Sequence, residues 1–140
     1  MWQNPSDETI RKILQDYRNI AVVGLSPKPE RDSHRVTRYM QDRGYLITGI
    51  NPGHPEILSG PTWPSLRALP ADHPVEIVNI FRRSSHVAPH VDEAIERKAA
   101  CIWMQVGVYD VMSAERAAAA GITVIMDRCI MVEHRMLVGR

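Results

Sequence analysis

Short, unbroken apolar runs alternate along this chain with segments whose apolar positions recur at helical spacing. Ile10, Ile13, Leu14 and Tyr17 make one stripe, predicting a first helix from about Ser6 to Tyr17 with Ser6 or Asp7 as its cap. Ile20-Ala21-Val22-Val23-Gly24 then reads as a buried parallel strand. A polar loop, Leu25 to Asp32, leads to a helix from about Ser33 to Arg43, with Val36, Tyr39 and Met40 inward and Gly44 as its left-handed cap. Tyr45 to Ile50 is the second strand. Asn51-Pro52-Gly53-His54-Pro55 breaks the pattern, and a long Pro-rich connection to Pro74 carries a short helix near Ser65–Leu69. Val75 to Phe81 is the third strand, followed by a helix from Ser84 or Ser85 to about Lys98, with Pro89 in its first turn. Cys101 to Gln105 is the fourth strand. Ser113 caps an alanine-rich helix stopped by Gly121, Ile122 to Met126 is the fifth strand, and a last short helix begins near Arg128.

Strands alternating with helices through right-handed crossovers predict an α/β fold, a three-layer Rossmann-like doubly wound parallel sheet with helices on both faces. Five strands are expected, in the order 3-2-1-4-5. Ligands on such sheets bind beyond the C-terminal strand ends, near the point where the strand order reverses, so function is sought in the loops that follow the strands.

Composition narrows the class. The 140 residues fit one domain spanning 1–140, and an apolar share of 44% with 24% charged residues is ordinary for a globular chain. A net charge of +1 gives no broad field that would argue for nucleic acid or an anionic membrane as partner. Cations are skewed to 14 Arg against 3 Lys, which suits phosphate recognition but also follows from a GC-rich coding sequence. The N-terminus has neither the basic nor the apolar region of a signal peptide, and no apolar run approaches the ~20 residues of a membrane span. Cys101 and Cys129 are far apart in sequence. Together these features lead us to expect a cytoplasmic protein with reduced thiols.

The loop after the first strand holds the clearest chemistry. Gly24 permits close backbone approach, Asp32 or Ser33 opens a helix whose free N–H groups favour an anion, and Lys28, Arg31 and Arg35 stand nearby. A phosphate-bearing ligand accounts for all of these; the bland alternative is a solvated loop with a helix cap. The segment lacks the Gly-x-Gly-x-x-Gly fingerprint, and the second strand ends in Ile50-Asn51-Pro52 where a nicotinamide-dinucleotide site places an acid.

In order along the chain, Val22-Val23-Gly24-Leu25-Ser26-x-Lys28-Pro29-x-Arg31, Ser33-x-Arg35-Val36, Gly44-Tyr45, Ile50-Asn51-Pro52, Phe81-Arg82-x-Ser84, Trp103-Met104-Gln105-x-Gly107-Val108 and Met126-Asp127-Arg128-Cys129 stand at or near predicted strand ends. With these pieces the chain, over about residues 7–137, resembles the small CoA-binding proteins, relatives of the CoA-binding domain of the succinyl-CoA synthetase α subunit. The resemblance implies that Ser26, Pro27, Lys28 and Pro29 wrap the phosphates of coenzyme A, with Arg35 a further contact. It implies that Asn51 and Pro52 lie beside the adenosine and that Phe81 and Arg82 line the pantetheine path. Gln105 and Gly107, just beyond the fourth strand, are expected to face the same cleft by their position. His54 stands where the synthetase has a lysine, which weakens the expected contact to the ribose 3′-phosphate. Within these 140 residues no counterpart of the synthetase's phosphohistidine domain is expected.

Other residues are weighed against plainer roles. Asp127 and Arg128 read as an ion pair fixing the last helix. Cys129 at a helix start is a candidate reactive thiol, though a free Cys is more often a small buried hydrophobe. His86 and His90 form an i, i+4 pair but read as solvated, so no metal is expected. With no nucleophile elbow or acid–base pair in view, the chain is expected to bind coenzyme A or an acyl-CoA without chemistry of its own. An NAD(P)-binding oxidoreductase or redox-sensor domain on the same fold is the alternative. The ligand is a small molecule; a protein partner is left open.

Overall fold

The computed structural model describes residues 2–139. Helix α1 (Asp7–Asp16) starts where the Ser6 hydroxyl accepts the Thr9 N–H at 3.2 Å and buries Ile10, Ile13 and Leu14. Strand β1 (Asn19–Val23) has four buried residues in a row, as a central parallel strand requires. Helix α2 (Asp32–Asp42) ends before Gly44, whose φ of +92° supplies the expected left-handed turn into β2 (Leu46–Ile50). The hairpin β3 (Glu56–Ile57) and β4 (Gly60–Trp63) comes next, then β5 (Ile77–Ile80), α3 (Ala88–Glu96), β6 (Cys101–Met104), α4 (Val111–Ala119), β7 (Thr123–Ile125) and α5 (Ile130–Leu137).

The sheet has seven strands in the order β3-β4-β2-β1-β5-β6-β7, not five, and all neighbours are parallel except β3 against β4. The expected order is therefore corrected. The strand from the Val75 region pairs with β1 (Ile20 opposite Ile77), while β4 takes the place beyond β2 (Gly49 opposite Thr62). β4 was hidden by its Gly60 and Pro61, which read as loop, and by a two-residue turn at Leu58 and Ser59. Both turn residues have positive φ, a conformation usually announced by Asn-Gly.

Alternation along the strands divides the core between two faces. Ile20, Val22, Ile77, Trp103 and Ile125 pack with α1, α2 and α5, whereas Ala21, Val23, Val78, Ile102 and Met104 pack with α3 and α4. This is the predicted three-layer arrangement. Smaller expectations shift. Ser65–Leu69 forms two successive turns (Ala68 N–H to Ser65 O, Leu69 N–H to Leu66 O) rather than a helix. The helix expected from Ser84 to Lys98 is a 3-10 turn, Ser84–His86, followed by α3. Asp110, not Ser113, stands at the N-cap of α4; Ser113 is buried one turn in and donates to Asp110 Oδ2 at 2.6 Å. Among the described residues no helix is long and apolar enough to cross a membrane.

Candidate functional site

After β1 the chain turns to β2 and β4 on one side, then crosses back to β5 on the other, so strand order reverses between β1 and β5. A cleft opens over that reversal, as it must where neighbouring connections leave in opposite directions. It has two lobes with a common wall of Gly24, Ser26, Pro27 and Phe81. The first, about 740 Å³, adds the ends of β2 and β4 (Ile50, Asn51, Pro52, Gly53, Pro64) and the segment after β5 (Arg82, Arg83, His86, His90). The second, about 590 Å³, adds Lys28, Glu30, Arg31, Asp32 and Ser33 at the start of α2, with His54, Gln105, Val106 and Val108. Both volumes are in the range of small-molecule sites.

The loop from Gly24 to α2 is held by its own side chains. Ser33 Oγ accepts the Ser26 N–H at 2.9 Å, and Ser26 Oγ accepts the Lys28 N–H at 3.1 Å. His34 Nδ1 meets the Ser26 carbonyl at 2.9 Å. No side chain caps α2: its N-cap residue is Arg31, whose side chain carries no acceptor, and Ser33 inside the helix is turned to the loop. The first N–H groups of the helix are thus left for solvent or an anion, with Lys28 and Arg31 at the same lobe. Across the cleft, Asn51 Nδ2 donates to Leu25 O at 2.8 Å and its Oδ1 accepts the Gly53 N–H at 2.7 Å, tying the turn after β2 to the loop after β1.

Most of the residues singled out from sequence meet here. Gly24, Ser26, Pro27 and Phe81 form the common wall; Asn51, Pro52 and Arg82 line the first lobe; Lys28, His54 and Gln105 line the second. Pro29, Arg35 and Gly107 are outside both linings. Arg35 pairs with Asp32 one turn back on α2 at 2.8 Å, and Gly107, at φ +83°, gives its N–H to Asp127 Oδ1 at 2.7 Å. Gln105 is buried, and its Oε1 accepts the Ile130 N–H at 3.0 Å, capping α5 from a distance. The expected Asp127–Arg128 pair does not form; Arg128 reaches Glu133 at 3.3 Å instead. Cys129 stands at the N-cap of α5, outside both lobes, and burial pushes the Cys101 thiol far up from its ordinary range.

Sequence reasoning missed the wall formed by His86 and His90. They do not share one helix: His86, exposed as expected, lies on the 3-10 turn and His90, half-buried, in the first turn of α3, and both line the first lobe. The signal was their place directly after a strand's C-terminal end. His90 is held below the usual histidine range, first by burial, then by the Arg82 charge; His86 adds to this and Glu93 opposes it. Its Nδ1 is buried without a hydrogen-bond partner. Among the described residues no cluster of three His, Cys, Asp or Glu suits a metal.

Comparison with known proteins follows the same line. The profile of the CoA binding domain family matches residues 18–135. The chain is 43% identical over 132 residues to YneT of Bacillus subtilis (strain 168), described as uncharacterized, covering 94% of this chain and 96% of that one. A hypothetical protein from Pyrococcus horikoshii OT3 superposes with a TM-score of 0.91 at 35% identity, covering 99% of this chain and all of that one. A Thermus thermophilus structure, described as cell-free ID.343, gives 0.89 at 32% identity over 95% of this chain and 99% of that one.

Proposed function

The chain belongs to the CoA-binding domain family, and on that premise we propose that its cleft holds coenzyme A or an acyl-CoA. The carrying observation is the uncapped start of α2, facing the same lobe as Lys28 and Arg31 at the strand-order reversal. Free helix N–H groups and two cations make a receptor for a diphosphate without a glycine-rich fingerprint. The adenosine then occupies the first lobe beside Asn51, Pro52 and Pro64, and the diphosphate crosses the common wall. The pantetheine arm leads past Phe81 into the second lobe, along Gln105, Val106 and Val108. The two lobes and their shared wall match a ligand that is nucleoside at one end and a flexible chain at the other.

The role we propose is binding without catalysis, in the cytoplasm, where both thiols stay free as they are here. Two polar side chains of the cleft are already engaged: both ends of the Asn51 amide and the Gln105 carbonyl serve the fold. That engagement also argues against NAD(P), since Asn51 stands where an acid would receive the ribose hydroxyls.

The test is a melting and calorimetry series with coenzyme A, acetyl-CoA, NAD, NADP and ATP. Coenzyme A at 100 times its Kd should stabilise the protein by about 2.7 kcal/mol. Lys28→Ala should weaken it by about 1.5–3 kcal/mol with the ligand-free melting point unchanged. A shift with NAD and none with coenzyme A would replace this reading by the dinucleotide one.

A further inference from the structure

The first lobe carries cations that the diphosphate does not use. Arg82, Arg83, His86 and His90 follow one another on the segment from the end of β5 into α3 and form one wall of that lobe; no Asp or Glu is in its lining. The ion pairs among the described residues use Arg11, Arg35, Arg67, Arg116 and Arg128, so both Arg82 and Arg83 are left without a carboxylate. Arg82 lays its aliphatic stem over Gly24, with Cδ 3.3 Å from where a Cβ there would stand, which roots it at the common wall. His90 adds a buried Nδ1 with no partner. Unpaired arginines are not rare on a surface, but these two stand side by side on the wall of a cavity whose lining holds no carboxylate, next to the His90 ring.

His54, the residue that the resemblance sets at the ribose 3′-phosphate, is elsewhere. It lines the second lobe with Lys28 and Arg31, whereas Asn51, Pro52 and Gly53 just before it line the first. A ribose beside Asn51 therefore has the Arg82–His90 wall in its lobe rather than His54.

Resting on the coenzyme A reading, we propose that Arg82, Arg83 and His90 form a phosphomonoester subsite that receives the 3′-phosphate of the bound nucleotide. A phosphomonoester brings close to two negative charges and three acceptor oxygens, enough for two guanidinium forks and one imidazole N–H. The function of the subsite is selection: it distinguishes coenzyme A from its dephospho precursor and from dinucleotides that lack a phosphate at that position.

The experiment is calorimetric titration of wild type, R83Q, the R82Q/R83Q double variant and H54A with coenzyme A and with dephospho-coenzyme A. Wild type should prefer coenzyme A by about tenfold or more, the scale of one charge-assisted hydrogen bond. The preference should shrink in R83Q and approach unity in the double variant, while dephospho-coenzyme A binds wild type and both arginine variants alike; H54A keeps the ratio of the two affinities, whatever it does to each. No preference in wild type, or one that survives in the double variant, overturns the subsite. Adenosine 3′,5′-bisphosphate against adenosine 5′-monophosphate separates this outcome from failure of the coenzyme A reading. If coenzyme A does not bind, that reading falls; the subsite then stands if the bisphosphate is preferred and R82Q/R83Q abolishes the preference, and falls otherwise.

Discussion

Gly24 was legible as a special residue, and the structure adds a demand that is independent of any ligand. From sequence, a glycine there allows close backbone approach. In the structure a side chain would also meet the protein: a Cβ would run into the Phe81 carbonyl oxygen, and the φ of +85° already disfavours any other residue. The same junction is stitched by Phe81 N–H to Val23 O at 2.9 Å and Gly24 N–H to Ile50 O at 3.1 Å, so neither strand end can retreat without losing a bond. We expect Gly24→Ala to destabilise the ligand-free protein by about 1–3 kcal/mol, the scale of backbone strain at one residue, and Gly24→Val by more. Chemical denaturation without ligand measures this. Wild-type stability in Gly24→Ala would mean that the turn relaxes, and would return Gly24 to a role at the ligand.

At the scale of elements, what could be read was what local pattern encodes. The runs Ile20–Val23, Ile77–Ile80 and Cys101–Met104 are buried throughout, and their apolar continuity announced them. β4 was not readable because its ladder is made by tertiary pairing. Its bonds to β2 rest on two residue pairs, and Pro61 is tolerated only against the short edge strand β3. Missing it moved the third strand to the wrong side of β1. The candidate cleft survived that error, because the order still reverses beside β1. Its histidine wall did not: the place of the two rings after β5 was the signal, but that this segment and the end of β2 line one cavity is set by tertiary pairing. What joins the two sides is Asn51, the bridge between the loops after β1 and β2. Asn51→Ala should cost about 1–3 kcal/mol in ligand-free denaturation, because Leu25 O and the Gly53 N–H both lose a partner. Asn51→Asp, which keeps the acceptor toward Gly53 and loses the donor toward Leu25, should fall between. Unchanged stability in Asn51→Ala would show that the loops hold their places without it.

On the scale of the whole molecule, each face of the sheet holds one histidine whose proton the fold resists, half-buried in one case and buried in the other. His90 lies under the α3 side. His134, buried between α2 and α5, meets the Tyr39 hydroxyl at 3.0 Å and packs edge-on against the Tyr39 and Tyr45 rings. Its pKa is held below the usual value by burial first, then by the charges of Arg43 and Arg18; neighbouring Glu133 gives its carboxylate to Arg128. A depressed histidine pKa means that the unfolded chain takes up protons at a pH where the native one does not. Stability therefore rises with pH in that interval. The contribution is fully present above the unfolded value of about 6.5 and is lost as pH falls toward the native pKa of each ring, at no more than about 1.4 kcal/mol per pH unit for each histidine. Glu76 acts in a separate, more acidic window. Burial would raise its pKa, but the backbone and side-chain N–H groups of Asn19 and the backbone N–H of Arg18 outweigh that and lower it. Its contribution thus fades only as pH drops through the carboxylate range. The ligand-free protein should accordingly show flat stability between about pH 7 and 8, a first decline below ~6.5 and a second in the carboxylate range. His134→Gln should shallow the first decline and leave the second. A stability that instead falls as pH rises through 6.5 would mean that His134 is held protonated, and that the arginines around it do not set its charge.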